Sequence, residues 1–167
     1  MNENRSSDMG LLTRIIATGG FLGYAPVAPG TVGSLGCAVL LWFLLPQVLA
    51  GAPLTTLLLM ILSTVAFIAL AVWASTRAER ELGKDASPIV VDEFAGMLIA
   101  VLFLPKTLTV YAVAFVLFRI LDILKPFPAA RAESLPGGLG IVMDDVVAGI
   151  YANALVRIML LVTGGGF

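Results

Sequence analysis

The chain has 167 residues, 59% of them hydrophobic and 13% charged, with a net charge of −1. Soluble domains carry about 25% charged residues, so this composition suits lipid better than water, and the near-neutral balance excludes a basic footprint for nucleic acid. Histidine is absent and Cys37 is the single cysteine, which excludes a histidine nucleophile, a Ser-His-Asp relay, an imidazole metal ligand and an internal disulfide; carboxylates are left to carry any chemistry.

The length fits one domain over residues 1–167, opening with a lead at 1–9 that is expected to be flexible. A short apolar segment at 10–22 reads as an interfacial helix. From Ile15 to Thr76 there is no charged residue, a tract far longer than the ~20 apolar residues that cross a hydrocarbon core. It is therefore expected to hold two crossings, 34–50 and 54–74, separated by the prolines and glycine of "PQVLAGAP" at 46–53. Further spans are expected at 89–104, 107–123 and 145–163. Inside lipid every backbone polar group must be satisfied within the chain, so helices are the expected solution. The fold class is all-α: a polytopic membrane helix bundle of about five transmembrane helices plus the N-terminal interfacial helix.

Charge distribution assigns the sides. Arg77, Arg80 and Lys84 lie in the loop at 75–88, Lys125 and Arg131 in the loop at 124–143, and only Lys106 in the opposite turns. The positive-inside rule places the two rich loops in the cytoplasm and the C-terminus outside. Asp85, Asp92, Glu93, Asp122, Asp144 and Asp145 then converge on the cytoplasmic face, with Lys84, Arg119, Lys125 and Arg131 among them.

Four stretches carry the chemistry. In "APGTVGSLG", residues 28–36, Thr31 and Ser34 near a helix N-terminus could present hydroxyls and backbone N–H groups to phosphate; Thr31 could equally be an N-cap. Asp92 and Glu93 follow Pro88 closely enough to favour a helix dipole, worth roughly 0.3–1 kcal/mol. That is small beside the ~2.5–3.5 kcal/mol cost of an aspartate deep in a membrane helix, so a divalent cation or basic groups from other spans are expected nearby. "DEFAG" at 92–96 and "DVVAG" at 145–149 share D-x-x-A-G, which puts a glycine one turn beyond each aspartate and permits close helix approach. Two such helices could bring Asp92, Glu93, Asp144 and Asp145 around hard cations such as Mg²⁺. In "FRILDILKPFP", residues 118–128, Arg119, Asp122 and Lys125 recur at three-residue intervals, a helix-end salt-bridge ladder or an anion clamp beside another acid. Asn153 is expected to bond a neighbouring helix and Arg157 to reach the outer interface.

Together "APGTVGSLG", "GKDASPIVVDEFAGM", "FRILDILKPFP" and "GGLGIVMDDVVAG", over residues 28–149, resemble the motifs of the phosphatidylglycerophosphatase A family of bacterial inner-membrane lipid phosphatases. The resemblance implies Mg²⁺-dependent conversion of phosphatidylglycerophosphate to phosphatidylglycerol, a cardiolipin precursor. The family's motif residues fall on Lys84, Asp85, Asp92, Glu93, Arg119, Asp122, Lys125, Asp144 and Asp145. On this reading Asp92, Glu93, Asp144 and Asp145 hold metal, while Thr31, Ser34, Lys84, Arg119, Lys125 and Arg131 meet phosphate. Asp85 or Asp122 orients or deprotonates water, and an aspartyl-phosphate intermediate is the rival route. Two other classes use membrane carboxylates: a cation transporter, which would want them near the midplane, and a Mg²⁺-dependent lipid phosphotransferase, whose D-x-x-D-G-x-x-A-R pattern is missing.

Overall fold

A computed structural model of the chain describes residues 9–46, 52–83 and 86–164. Among these residues the chain is all-helical: α1 (Leu11–Ala17), a 3₁₀ turn at Leu22–Tyr24, α2 (Pro29–Leu44), α3 (Leu54–Leu82), α4 (Val91–Val101), α5 (Leu108–Leu124), α6 (Ala129–Ala132) and α7 (Gly138–Val162). The interfacial segment expected at 10–22 is shorter, ending at Ala17 and packing on α3, with Met9 buried; residues 1–8 of the expected lead lie outside the described residues. The first span, expected at 34–50, runs instead from Pro29, whose fixed φ suits a first helical position, to Leu44; residues 47–51 lie outside the described residues.

Length and apolarity single out α3 and α7 as helices able to cross a membrane, and α2 is a shorter apolar helix. The expectation of about five membrane-crossing helices is thus not met by length. The reason is clearest at α4. Its 11 residues cover about 16 Å, roughly half of a hydrocarbon core. Asp92, Ala95, Gly96, Met97, Leu98 and Ala100 are all buried, because α2, α3, α5 and α7 surround it. A helix buried on every side meets protein where the others expose leucine and valine, as α3 does at Leu58, Leu62 and Val65.

A helix that stops inside a bundle leaves carbonyls without partners. Here α7 supplies them. Asn153 Nδ2 donates to the carbonyls of Ile99, Ala100 and Leu102 at 3.0, 3.1 and 2.9 Å. Arg157 Nη2 donates to Leu102 and Phe103 at 3.1 and 3.3 Å, steadied by its own bond to Asn153 Oδ1 at 2.7 Å. Asn153 bonds its neighbour as expected, and Arg157, though exposed, caps a helix end. At the same end Lys106 Nζ donates to Leu45 O at 2.9 Å, closing the C-terminus of α2.

At the other end the D-x-x-A-G pair meets. A Cβ on Gly96 would come within 2.7 Å of Asp145 O, and one on Gly149 would collide with Gly96 O, so the backbones of α4 and α7 touch where only glycine fits. α7 also begins earlier than expected, at Gly138, whose N–H donates to Thr76 Oγ1 of α3 at 3.1 Å. Asp144 and Asp145 therefore sit in its second turn, inside the bundle.

Asn153→Ala should lower unfolding free energy by about 1–3 kcal/mol, the cost of stranded buried carbonyls, measured by equilibrium unfolding in detergent. A change below about 0.5 kcal/mol would mean that α4 does not depend on this cap.

Candidate active site

Three helices contribute N-terminal turns to one end of the bundle, α2, α4 and α7, and α5 contributes its C-terminal turns. Asp92 and Glu93 occupy the first turn of α4, where the helix dipole favours negative charge. The α4–α7 crossing lays Asp145 against them, and ligand oxygens of Asp92, Glu93 and Asp145 lie within 4.8 Å of one another. Asp92 and Asp145 are 7% and 3% exposed, so water does little to screen their repulsion.

Two basic side chains border the acids. Arg119 Nη1 lies 2.7 Å from Asp122 Oδ2 and 3.8 Å from Glu93 Oε1, and donates to Ser34 Oγ at 3.3 Å. The buried Ser34 hydroxyl donates in turn to Gly30 O at 2.7 Å, which ties α2 to α5. Lys125 is not the third rung of the expected ladder. It caps α5 in the left-handed region, with φ of 45°, which turns its ammonium to Asp144 Oδ2 at 2.7 Å and Glu133 Oε2 at 3.1 Å. Burial alone would lower the Lys125 pKa, but the bonds to Asp144 and Glu133 outweigh it and raise the pKa above the usual lysine range, keeping the cation charged.

The structure therefore brings together Asp92, Glu93, Asp122, Asp144, Asp145, Arg119, Lys125 and Ser34. Thr31 is half-buried in the first turn of α2 and is not its N-cap, a position taken by Ala28. Arg131 is exposed on α6 with its guanidinium 5.1 Å from the Phe127 ring, and makes no ion pair among the described residues. Lys84 and Asp85 lie outside the described residues.

Sequence reasoning missed two participants. Glu133 carried no motif signal, since nothing in a sequence says that Lys125 will reverse the chain. Gly30 was read only as part of the stretch at 28–36, ahead of the span expected from 34, yet it is helical and faces the acids: a Cβ there would collide with Glu93 Oε1.

The donor set can be tested against a metal. Oδ1 of Asp92, Oε2 of Glu93, Oδ1 of Asp144 and Oδ2 of Asp145 are buried without a hydrogen-bond partner. The oxygens of Asp92, Glu93 and Asp145 converge and are hard donors of the kind Mg²⁺ takes, so these three residues fit that ion; Asp144, expected as a fourth ligand, stands outside the triangle with one oxygen on Lys125.

An all-helical bundle with an apolar exterior, its described acids and most of its bases gathered at one end, belongs to the class of helical proteins that handle a charged group beside an apolar phase. Within that class the match is specific. The family model described as phosphatidylglycerophosphatase A matches residues 15–160, and the chain belongs to that family, whose members are phosphatases. It is 35% identical over 146 residues to "Phosphatidylglycerophosphatase A" of Escherichia coli (84% of this chain, 79% of the relative). It is 36% identical over 145 residues to the protein of that name in Haemophilus influenzae (85% of each chain). A Bacteroides thetaiotaomicron protein named "Putative phosphatidylinositol-3-phosphatase" is 40% identical over 156 residues (90% of this chain, 94% of the relative). No solved structure gives a significant match.

Because Gly30 is helical, alanine there gains about 1 kcal/mol of helix propensity while displacing the Glu93 carboxylate. Gly30→Ala should cut phosphatase turnover roughly 10- to 100-fold with an unchanged or raised thermal midpoint. Wild-type turnover in this variant would show that the fit between Gly30 and Glu93 is irrelevant to the reaction.

Proposed function

We propose that the protein hydrolyses the terminal phosphomonoester of phosphatidylglycerophosphate to phosphatidylglycerol and phosphate, with Mg²⁺, at the cytoplasmic face of a bacterial inner membrane. Phosphatidylglycerol so made would supply cardiolipin synthesis. One observation carries the reading: the buried triangle of Asp92, Glu93 and Asp145, with unpartnered oxygens, beside cations able to pair with a phosphate. Family membership supports the reaction class, and the apolar length of α3 and α7 supports a place in the bilayer.

Asp92, Glu93 and Asp145 would hold the ion, with Asp144 beside them. When bound, Mg²⁺ would offset the clustered negative charge, polarise the phosphoryl oxygens and make water more acidic. Arg119 has a buried Nε without a partner, a donor available to a phosphoryl oxygen while its Nη1 stays on Asp122 and Ser34. Lys125, shared between Asp144 and Glu133, adds the second positive charge. Asp122, held by Arg119, takes the proton of the attacking water as the new P–O bond forms. The bond from phosphorus to the glycerol oxygen breaks, and that oxygen takes up a proton from the aqueous face. Lys84 and Asp85 keep their expected parts as a phosphate-pairing cation and the alternative base.

The 40% identity to the Bacteroides relative favours phosphatidylinositol 3-phosphate as a second reading. Phosphate release by the purified protein separates the two. Phosphatidylglycerophosphate should be turned over fastest and only with Mg²⁺; faster release from phosphatidylinositol 3-phosphate would assign the other substrate, and release from neither would end the lipid-phosphatase reading. Asp92→Asn should lower kcat on the order of 100-fold or more in a folded protein. Mg²⁺ should raise the thermal midpoint of the wild type, and Asp145→Asn should lose that shift; an equal shift in both would place the ion elsewhere.

A further inference from the structure

Between α2 and α5 lies an apolar groove of about 350 Å³, within the usual range for small-molecule sites. Leu35, Val39 and Trp42 line one wall and Tyr111, Ala112 and Phe115 the other. Leu35, Val39 and Trp42 on α2, and Leu108, Ala112 and Phe115 on α5, each follow the i, i+4, i+7 stripe of a helix face. Each stripe turns polar within one helical turn at the same end. On α2 the face that carries Ala38 and Leu35 continues to Ser34 and Thr31; on α5 the face that carries Ala112 and Phe115 continues to Arg119 and Asp122. Ser34 Oγ and Arg119 Nη1, 3.3 Å apart, join the helices at the head of the groove. Its foot is closed by the edge-to-face pair of Trp42 and Tyr111, with ring centroids 5.3 Å apart and Lys106 Nζ 5.7 Å over Trp42.

We propose that this groove holds one acyl chain of the lipid phosphomonoester, threading it between α2 and α5 so that its phosphate arrives at Arg119. The inference rests on the phosphatase reading and adds the binding site for the tail. Shape argues for a chain over a partner helix. From Leu35 to Trp42 the groove runs about 10 Å, so its volume gives a mean cross-section of roughly 35 Å². That admits a single hydrocarbon chain with room to spare but not a helix, which with its side chains is about 10–12 Å across and so needs roughly 80–110 Å². The continuity from an apolar slot to a guanidinium on the same helix face matches an amphiphile, tail in the slot and anion at its head.

The test uses the full chain in vesicles of phosphatidylcholine containing phosphatidylglycerophosphate with a photoactivatable diazirine midway along one acyl chain. Adducts should concentrate on α2 and α5 around Val39 and Ala112. Ala112→Trp, which fills the slot from an exposed position away from the acids, should remove them. The same variant should raise KM for the diacyl substrate about tenfold with kcat within about twofold, and Val39→Trp should do the same from the other wall. Adducts spread equally over the exposed face of α3 at Leu58 and Leu62 would reduce the groove to ordinary lipid contact. Unchanged KM in both variants, or a Val39→Cys protein that oxidises to a disulfide-linked dimer, would also overturn the proposal. If the wild type releases no phosphate while labelling stays confined to the groove, the phosphatase reading fails and the tail site stands.

Discussion

Carboxylates that repel one another are held at contact range because α4 and α7 cross on bare glycine backbone. Gly96 and Gly149 remove the side chains that would otherwise separate the helices, and each lies one turn from an acid that the crossing then brings to the other. Neither cation resolves the conflict. Arg119 is engaged by Asp122 and Ser34, and Lys125 by Asp144 and Glu133, so among the described residues Asp92 and Asp145 have no basic partner of their own. Buried charge of that kind is costly unless something positive enters, which couples the stability of this end of the bundle to whatever binds there.

The two ends of α4 show what that conflict means for the fold. At its C-terminus Asn153 and Arg157 satisfy four carbonyls, and Lys106 does the same for α2, so the polar groups there are spent on holding helices in place. At the N-terminus carboxylate oxygens remain without partners. The same short helix is closed structurally at one end and left open chemically at the other. A half-length helix surrounded by longer ones thereby presents its favourable dipole end to a charged cluster well inside the bundle.

Much of this was legible in the sequence because it is local. The D-x-x-A-G repeat encodes the acid and the crossing together, one helical turn apart, and the i, i+3 spacing of Arg119 and Asp122 encodes their pair. The gathering of charge at one end followed from which loops carry arginine and lysine. What escaped depended on partners distant in the chain. The apolar run after Asp92 reads as a span by hydropathy, yet its exposure is decided by the four helices around it and its end by Asn153, more than 50 residues on. Lys125 fits a helical ladder until the chain leaves the helix at that residue with positive φ and hands the ammonium to Asp144 and Glu133. Gly30 is indistinguishable from a loop glycine until Glu93 is seen against it.

The absence of histidine is consistent with how this site is built. A histidine base would have to work among five neighbouring carboxylates whose field would keep it protonated and poor at accepting a proton. Carboxylates avoid that difficulty: Asp122, paired with the Arg119 guanidinium, offers an acceptor oxygen while its neighbours supply hard oxygens. Positive charge at this end comes from Arg119 and Lys125, and the proposed reading adds an ion held by the acids. On that reading the site concentrates negative protein charge where a negative substrate binds, so the added cation would belong to the working site, and binding of the phosphate and occupancy by the cation would reinforce each other.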